Sequence, residues 1–189
     1  LSIPFVLIES GNLVSLDSGR KVFLSSGFEP PDHIRGLRGE YDLVADNSPA
    51  IRKLFKKLNL REQTATHYVI EVILPFIKNT ENQPERIKVI SWLVSEWGNI
   101  EKSISEEDSQ RLRIKLSQTE LVPVAIDFML VRPGDVYLPS FAKKLPELFR
   151  DRAYFPVELP DLDDSWEKFL IDVGAKSSII SKQMGMLDK

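Results

Sequence analysis

The sequence predicts an α+β fold: two related β-hairpin-plus-helix units separated by a helical spacer. Three observations predict it. Ser2 to Ser26, SIPFVLIESGNLVSLDSGRKVFLSS, and Leu121 to Ser140, LVPVAIDFMLVRPGDVYLPS, run through nearly the same order of residue types. An amphipathic helix pattern follows each phrase, with Ile51, Leu54, Phe55 and Leu58 after the first and Trp166, Phe169, Leu170 and Val173 after the second. Everything between the two copies is patterned at helical spacing. The units span 1–62 and 121–189, the spacer 63–120, and the three are expected to pack as one assembly.

In the first unit, Ile3 to Ile8 is an apolar, β-branched run that reads as a strand, and Glu9-Ser10-Gly11-Asn12 is turn chemistry. Leu13-Val14 is a second short strand, and Val22-Phe23-Leu24 a third after the Asp17-Ser18-Gly19 turn. Residues 25–47 read as a long, partly extended connection. Asn47-Ser48-Pro49 then starts a helix, with a capping residue followed by proline at the first helical position. The stripe Ile51, Leu54, Phe55, Leu58 at i, i+3, i+4 and i+7 gives that helix its apolar face.

The spacer opens with a helix over 66–78, whose ladder Pro75 is expected to kink or end. Gln83-Pro84-Glu85 starts the next helix, which carries Trp92, Leu93 and Trp97 and has Gly98 as its expected stop. A capping-box pattern from Ser105 to Asp108 precedes Leu112, Ile114 and Leu116. In the second unit, Val122-Pro123 answers Ile3-Pro4, Met129-Leu130-Val131 answers Asn12-Leu13-Val14, and Val136-Tyr137-Leu138 answers Val22-Phe23-Leu24. Asp163-Asp164-Ser165 caps its helix. Leu54 to Phe169 and Leu58 to Val173 are each 115 positions apart, against 119 at the prolines, so the copies differ by loop insertions. The expected strands are short and antiparallel, with six or seven helices beside them.

Composition narrows the function classes. The chain has 42% hydrophobic and 28% charged residues and a net charge of -3, which suits neither a general nucleic-acid binder nor a polyanion mimic. Cysteine is absent, which removes disulfides, thiolate metal sites and thiol nucleophiles and fits a reducing, cytoplasmic setting. No apolar run approaches the ~20 residues that span a bilayer, and no signal peptide is visible. The first residue is Leu1, inside a strand-like run, as expected of a segment of a longer polypeptide.

The order IPFVLIESGNLV, KVFLSS, helices, LVPVAIDFMLVRPGDVYLPS and DDSWEKFLIDVGAKS resembles segments of sacsin-like proteins. These are very large polypeptides with histidine-kinase/gyrase-type ATP-binding domains and long repeated regions. The resemblance rests on Ile3-Pro4, Val122-Pro123, Val136-Tyr137-Leu138-Pro139 and the helix end Phe169-Leu170 to Val173-Gly174. The first copy departs from it, with Ser25 in place of the second proline and Asn59 in place of the glycine. It implies a repeat-region scaffold of chaperone-like type that does not itself bind ATP. The stretch Asp17-Ser18-Gly19-Arg20-Lys21 lacks the second glycine and the strand-to-helix setting of a nucleotide loop.

No residue is assigned as catalytic, cofactor-binding or metal-ligating, and no cofactor is expected. His33 and His67 have no second histidine three or four residues away. Nuclease chemistry is weak: Pro31-Asp32 lacks a nearby Glu-x-Lys, and Glu167-Lys168 after Pro160-Asp161 is adjacent rather than alternating. The run Asp161, Asp163, Asp164, Glu167 lacks the spacing of a cation loop and suits a helix N-terminus. Candidate interaction residues are Trp92 and Trp97, five apart and so aimed differently, which leaves room for one partly exposed docking ring, against rings that close the edge of their own core. Arg20, Lys21, Arg35 and Arg38, with Gly36 and Gly39, are candidates for a phosphate-binding concavity, against a solvated loop. Lys53, Lys56 and Lys57 form a solvated helix face. The expected role is a non-catalytic scaffold or interaction segment that meets other modules of its parent polypeptide or a protein client. The alternatives are a nucleic-acid-associated accessory domain and a hydrolase in which Asp32, Glu40 and Asp42 converge on a metal.

Overall fold

A computed structural model describes residues 5–16, 21–38, 41–46, 48–124, 129–142, 155–159 and 162–177. Ile3-Pro4, the Asp17 to Arg20 turn, Gly39-Glu40, Asn47 and Pro160-Asp161 lie outside them.

The first unit is a mixed sheet with a helical layer on each side. Strands β1 (Phe5–Leu7) and β2 (Leu13–Ser15) pair antiparallel, with Val6 opposite Val14. Gly11, at φ 82°, turns the chain between them. Strand β3 (Lys21–Ser25) lies between β4 (Tyr41–Leu43) and β5 (Glu62–Gln63), parallel to both. The Ile8–Val44 bridge joins the hairpin to this sheet, giving the order β2-β1-β4-β3-β5. The expectation of antiparallel strands alone is thus corrected. Parallel neighbours need crossover connections, and the sequence supplies two. One is α1 (Asp32–Arg35) with a 3-10 turn, Gly36–Arg38, where an extended connection was expected; the other is α2 (Pro49–Lys57). On one sheet face Val6, Leu24 and Val44 meet Phe55 of α2. On the other, Phe23 and Leu43 join the main core.

The spacer supplies most of that core. Its first helix runs as α3 (Ala65–Tyr68), a π-helical segment over Val69–Ile73, and α4 (Leu74–Asn79). Pro75 therefore does not end the helix. It lacks the N–H that an α ladder requires, and the wider π turn just before it takes up the break. Helix α5 (Gln83–Ser103) passes through Gly98 instead of stopping there, with buried Trp97 and Ile100 on either side. Helix α6 (Glu106–Ser117) opens on the expected capping box, in which the Asp108 backbone N–H donates to Ser105 Oγ at 3.1 Å.

The second unit repeats several backbone bonds of the first, although the parallel β3–β4 pairing has no counterpart there among the described residues and Pro156, at the position of Val44, has no N–H to donate. Strands β6 (Val122–Pro123) and β7 (Leu130–Val131) pair antiparallel. A 3-10 turn, Pro133–Asp135, and α7 (Pro139–Ala142) flank the Val136-Tyr137-Leu138 strand, and α8 covers Asp163–Asp172. Ile8 N–H donates to Asn12 O at 3.0 Å, and Val124 to Met129 O at 3.0 Å. Ala45 N–H donates to Leu7 O at 2.9 Å, and Val157 to Pro123 O at 2.8 Å. Leu24 N–H donates to Arg61 O at 2.9 Å, and Leu138 to Lys176 O at 3.0 Å. Pro123 thus takes the place of Leu7, so the two prolines matched in the sequence are not counterparts.

Both helices also end alike. Asn59 (φ 61°) and Gly174 (φ 96°) are left-handed, and their N–H groups donate to Lys56 O and Ile171 O. Leu60 and Ala175 N–H then reach back to Phe55 O and Leu170 O, the two-bond ending that a left-handed residue permits. Helix α8 begins at Asp163 behind Leu162, without a side-chain cap, so Asp163 to Ser165 are its first residues rather than its cap.

Candidate interaction surfaces

Among the described residues, those singled out in the sequence do not gather into one site. Trp92 and Trp97 are both buried, so neither offers a partly exposed ring. Helix α5 is enclosed on several sides, so side chains that point apart all find cover. Trp97 meets Phe169 edge-on at 5.3 Å between ring centres, and its Nε1 donates to Asp172 Oδ2 at 2.9 Å. Lys21 Nζ lies 3.5 Å from Glu71 Oε2, in a cleft of about 670 Å³ with Arg61 and His67. Arg35 pairs with Glu29 at 3.8 Å and Asp32 at 3.7 Å. Arg20 and the Arg38 side chain lie outside the described residues, so the described members of the predicted concavity each face a carboxylate instead of one another.

Asp32 is exposed beside Arg35, Asp42 is half-buried on β4, and Glu40 is outside the described residues. Among the described residues no group of three or more His, Cys, Asp or Glu is placed to hold a metal ion. His33 is exposed on α1. His67 packs its ring 4.5 Å from Phe23, and burial pushes its pKa below the ordinary value of 6.5. Asp164 is exposed, and Glu167 accepts a hydrogen bond from Ser140. A cleft of about 470 Å³ opens where β3 and β5 end, lined by Ser26, Thr64, Glu96, Asn99 and Asp108 together with Phe28, Ile100 and Ile104. No helix among the described residues is long and apolar enough to cross a membrane.

Exposed apolar side chains are grouped on the first unit, whereas Ile114 of α6 and Met129 and Ile171 of the second unit are exposed singly. Val6, Ile8 and Val14 turn into the protein, so the alternation of a strand sends Phe5, Leu7 and Leu13 to the opposite face of the hairpin. Phe5 is 65% exposed and Leu13 67%, with Leu7 between them. The counterpart face of the second hairpin is Leu121, Pro123 and Leu130, of which Leu121 and Pro123 are buried and Leu130 is half-buried. Leu121 belongs there to the same core as Leu112 and Leu116 of α6. Helix α2 shows the same contrast. Leu54 and Leu58 are 49% and 42% exposed, while Phe169 and Val173, 115 positions on, are buried.

Sequence reasoning missed these surfaces because it read both apolar stripes as core. The available signal was the change of partner chemistry between counterparts: Lys57 stands where α8 has Asp172, which receives Trp97. The Arg52 and Lys56 side chains of α2 are engaged by Glu62, at 2.6 Å and 3.0 Å. Those two hydrogen bonds hold the Glu62 carboxyl below its ordinary value. Comparison of the chain with protein-family models, curated proteins and solved structures finds no match.

Proposed function

We propose that the chain is a non-catalytic interaction segment of a larger intracellular, sacsin-like polypeptide, and that its first unit binds another module of that polypeptide or a protein client. One observation carries this reading. The hairpin face formed by Phe5, Leu7 and Leu13 stands in water, whereas the counterpart face of the second hairpin is drawn into the core. A sheet face patterned for burial and left uncovered loses the transfer energy of three large side chains, and a partner surface recovers it. The second unit indicates what such a partner looks like, since there the cover is helical and apolar.

The test is site-specific photo-crosslinking at Leu13 in the parent polypeptide, with exposed Lys88 on α5 as the control position. Crosslinks to polypeptide are expected at Leu13 and absent at Lys88. Adding Phe5→Ser and Leu7→Ser should lower their yield at least about tenfold, as expected for the centre of an interface. Those side chains are already in water, so unfolding of the variant should shift by less than about 0.5 kcal/mol. Equal yields at the two positions, or a yield indifferent to the serines, would sink the reading.

A further inference from the structure

We infer that the outer face of α2 docks an acidic amphipathic helix of a protein partner, seated there as α5 is seated on α8. The inference deepens the interaction reading but uses a different face from the hairpin, so the two can fail separately. The first ground is internal. Helices α2 and α8 occupy the same place in matching units and end in the same two backbone bonds. On α8 the positions of Phe169, Asp172 and Val173 are closed by α5, chiefly through Trp97. On α2 the corresponding Leu54, Lys57 and Leu58 are open. The backbone is thus already shaped for a helix that this unit does not have.

Charge names the helix. Lys53 and Lys57 flank the two leucines at i, i+4 spacing, and neither has an ion-pair partner among the described residues. Residues 52–62 hold five of the chain's 25 Lys and Arg and one of its 28 Asp and Glu, Glu62, which engages Arg52 and Lys56 and leaves Lys53 and Lys57 outside its ion pairs. In a chain of net charge -3 this is a local reversal of sign. Asp172 accepts a hydrogen bond from an indole, and a lysine at its counterpart position accepts nothing, so the complementary group is a carboxylate. The leucines favour a polypeptide over a nucleic acid, because a phosphate backbone offers them no apolar surface.

The test uses the full 189-residue chain and synthetic helical peptides as probes. One carries Trp and Leu on one face with Glu at its margins. A second has Lys in place of each Glu. Binding is read by fluorescence titration and by backbone amide shifts of the unaltered protein. The Glu peptide is expected to bind with shifts confined to α2, and the Lys peptide at least about tenfold more weakly because like charges oppose. Lys53→Glu with Lys57→Glu should invert that preference, and Leu54→Ser with Leu58→Ser should weaken binding at least about tenfold. All four positions are exposed, so circular dichroism should stay unchanged.

Shifts scattered over the chain, or equal affinity for both peptides, would overturn the proposal. Displacement of the Glu peptide by short duplex DNA, with binding blind to the leucine changes, would make the face a polyanion site instead. Self-association of the chain that Leu54→Ser abolishes would make the occupant a second copy. If the Leu13 crosslink fails while the Glu peptide still binds, the hairpin reading falls and this one stands.

Discussion

Phe169 and Leu54 sit at the same turn of matching helices, 115 positions apart, and one is dry while the other is half in water. The hairpins differ in the same way, with Leu121 buried and Phe5 exposed. The hairpin bonds and the helix ends agree between the units, so these local features do not set the difference. It comes from what is packed outside. The second unit is embraced by the spacer, α5 lying on α8 and Leu121 sharing a core with α6, whereas the first has its own small cluster around Phe55 and a spacer on one sheet face only. Amphipathic pattern thus decides which face of an element is apolar, and tertiary context decides whether that face is closed. Since full burial of a leucine or phenylalanine is worth about 1.5–3 kcal/mol, the open face of the first unit is a standing incentive to bind.

The largest expected effect breaks the embrace of the second unit. Trp97→Ala removes a buried indole, its edge contact with Phe169 and its hydrogen bond to Asp172, and should destabilise the fold by about 3–5 kcal/mol. Leu54→Ala, on the open counterpart helix, should cost less than about 0.5 kcal/mol beyond its small propensity change. Urea unfolding of the two variants beside the parent chain measures both. Comparable losses would mean that α2 is closed as tightly as α8 and that the contrast between the units is false.

A middling effect tests the shared backbone. Gly174→Ala places a Cβ at φ 96° and should cost about 1–2 kcal/mol. Asn59→Ala at φ 61° should cost under about 1 kcal/mol, because asparagine already bears part of that penalty. Thermal melts ranking the two in the opposite order would show that the helix ends differ in more than their residue.

The legible part of this fold was what short-range chemistry dictates. The turn at Gly11, the start of α2 at Pro49, the Ser105 capping box and the twofold order of elements all follow from local residue types. Three features did not, each for a nonlocal reason. Parallel pairing of β3 with β4 and β5 depends on α1, a four-residue helix inside a Pro- and Gly-rich stretch with no periodicity to read. Continuity through Pro75 depends on a π turn that no single residue announces. The burial of both Trp92 and Trp97 depends on α5 having neighbours on several sides, which a helical wheel cannot know. Of the candidate surfaces, sequence supplied the residues of the stripes but not their exposure, and of the concavity cations it emphasised, the described Lys21 and Arg35 each face a carboxylate.

The smallest effect sharpens how the first unit holds its helix without α5. Glu62 on β5 receives both Arg52 and Lys56 of α2, and its counterpart in the second unit is Ser177, which offers no carboxylate. These two partners hold the Glu62 carboxyl below its ordinary value of 4.5, so folding favours the charged form. The contribution is complete above pH 4.5 and is lost as the pH falls through the lower, folded value. Its size is modest because the groups are partly in water, about 0.5–1 kcal/mol at neutral pH. Glu62→Gln should therefore lower stability by that amount at pH 7 and by progressively less in acid, until the two proteins unfold alike. Ser177→Ala should leave the pH profile unmoved. A Glu62→Gln deficit that does not shrink as the pH falls from 7 to the lowest pH at which both proteins stay folded would mean that Glu62 acts by packing rather than by charge.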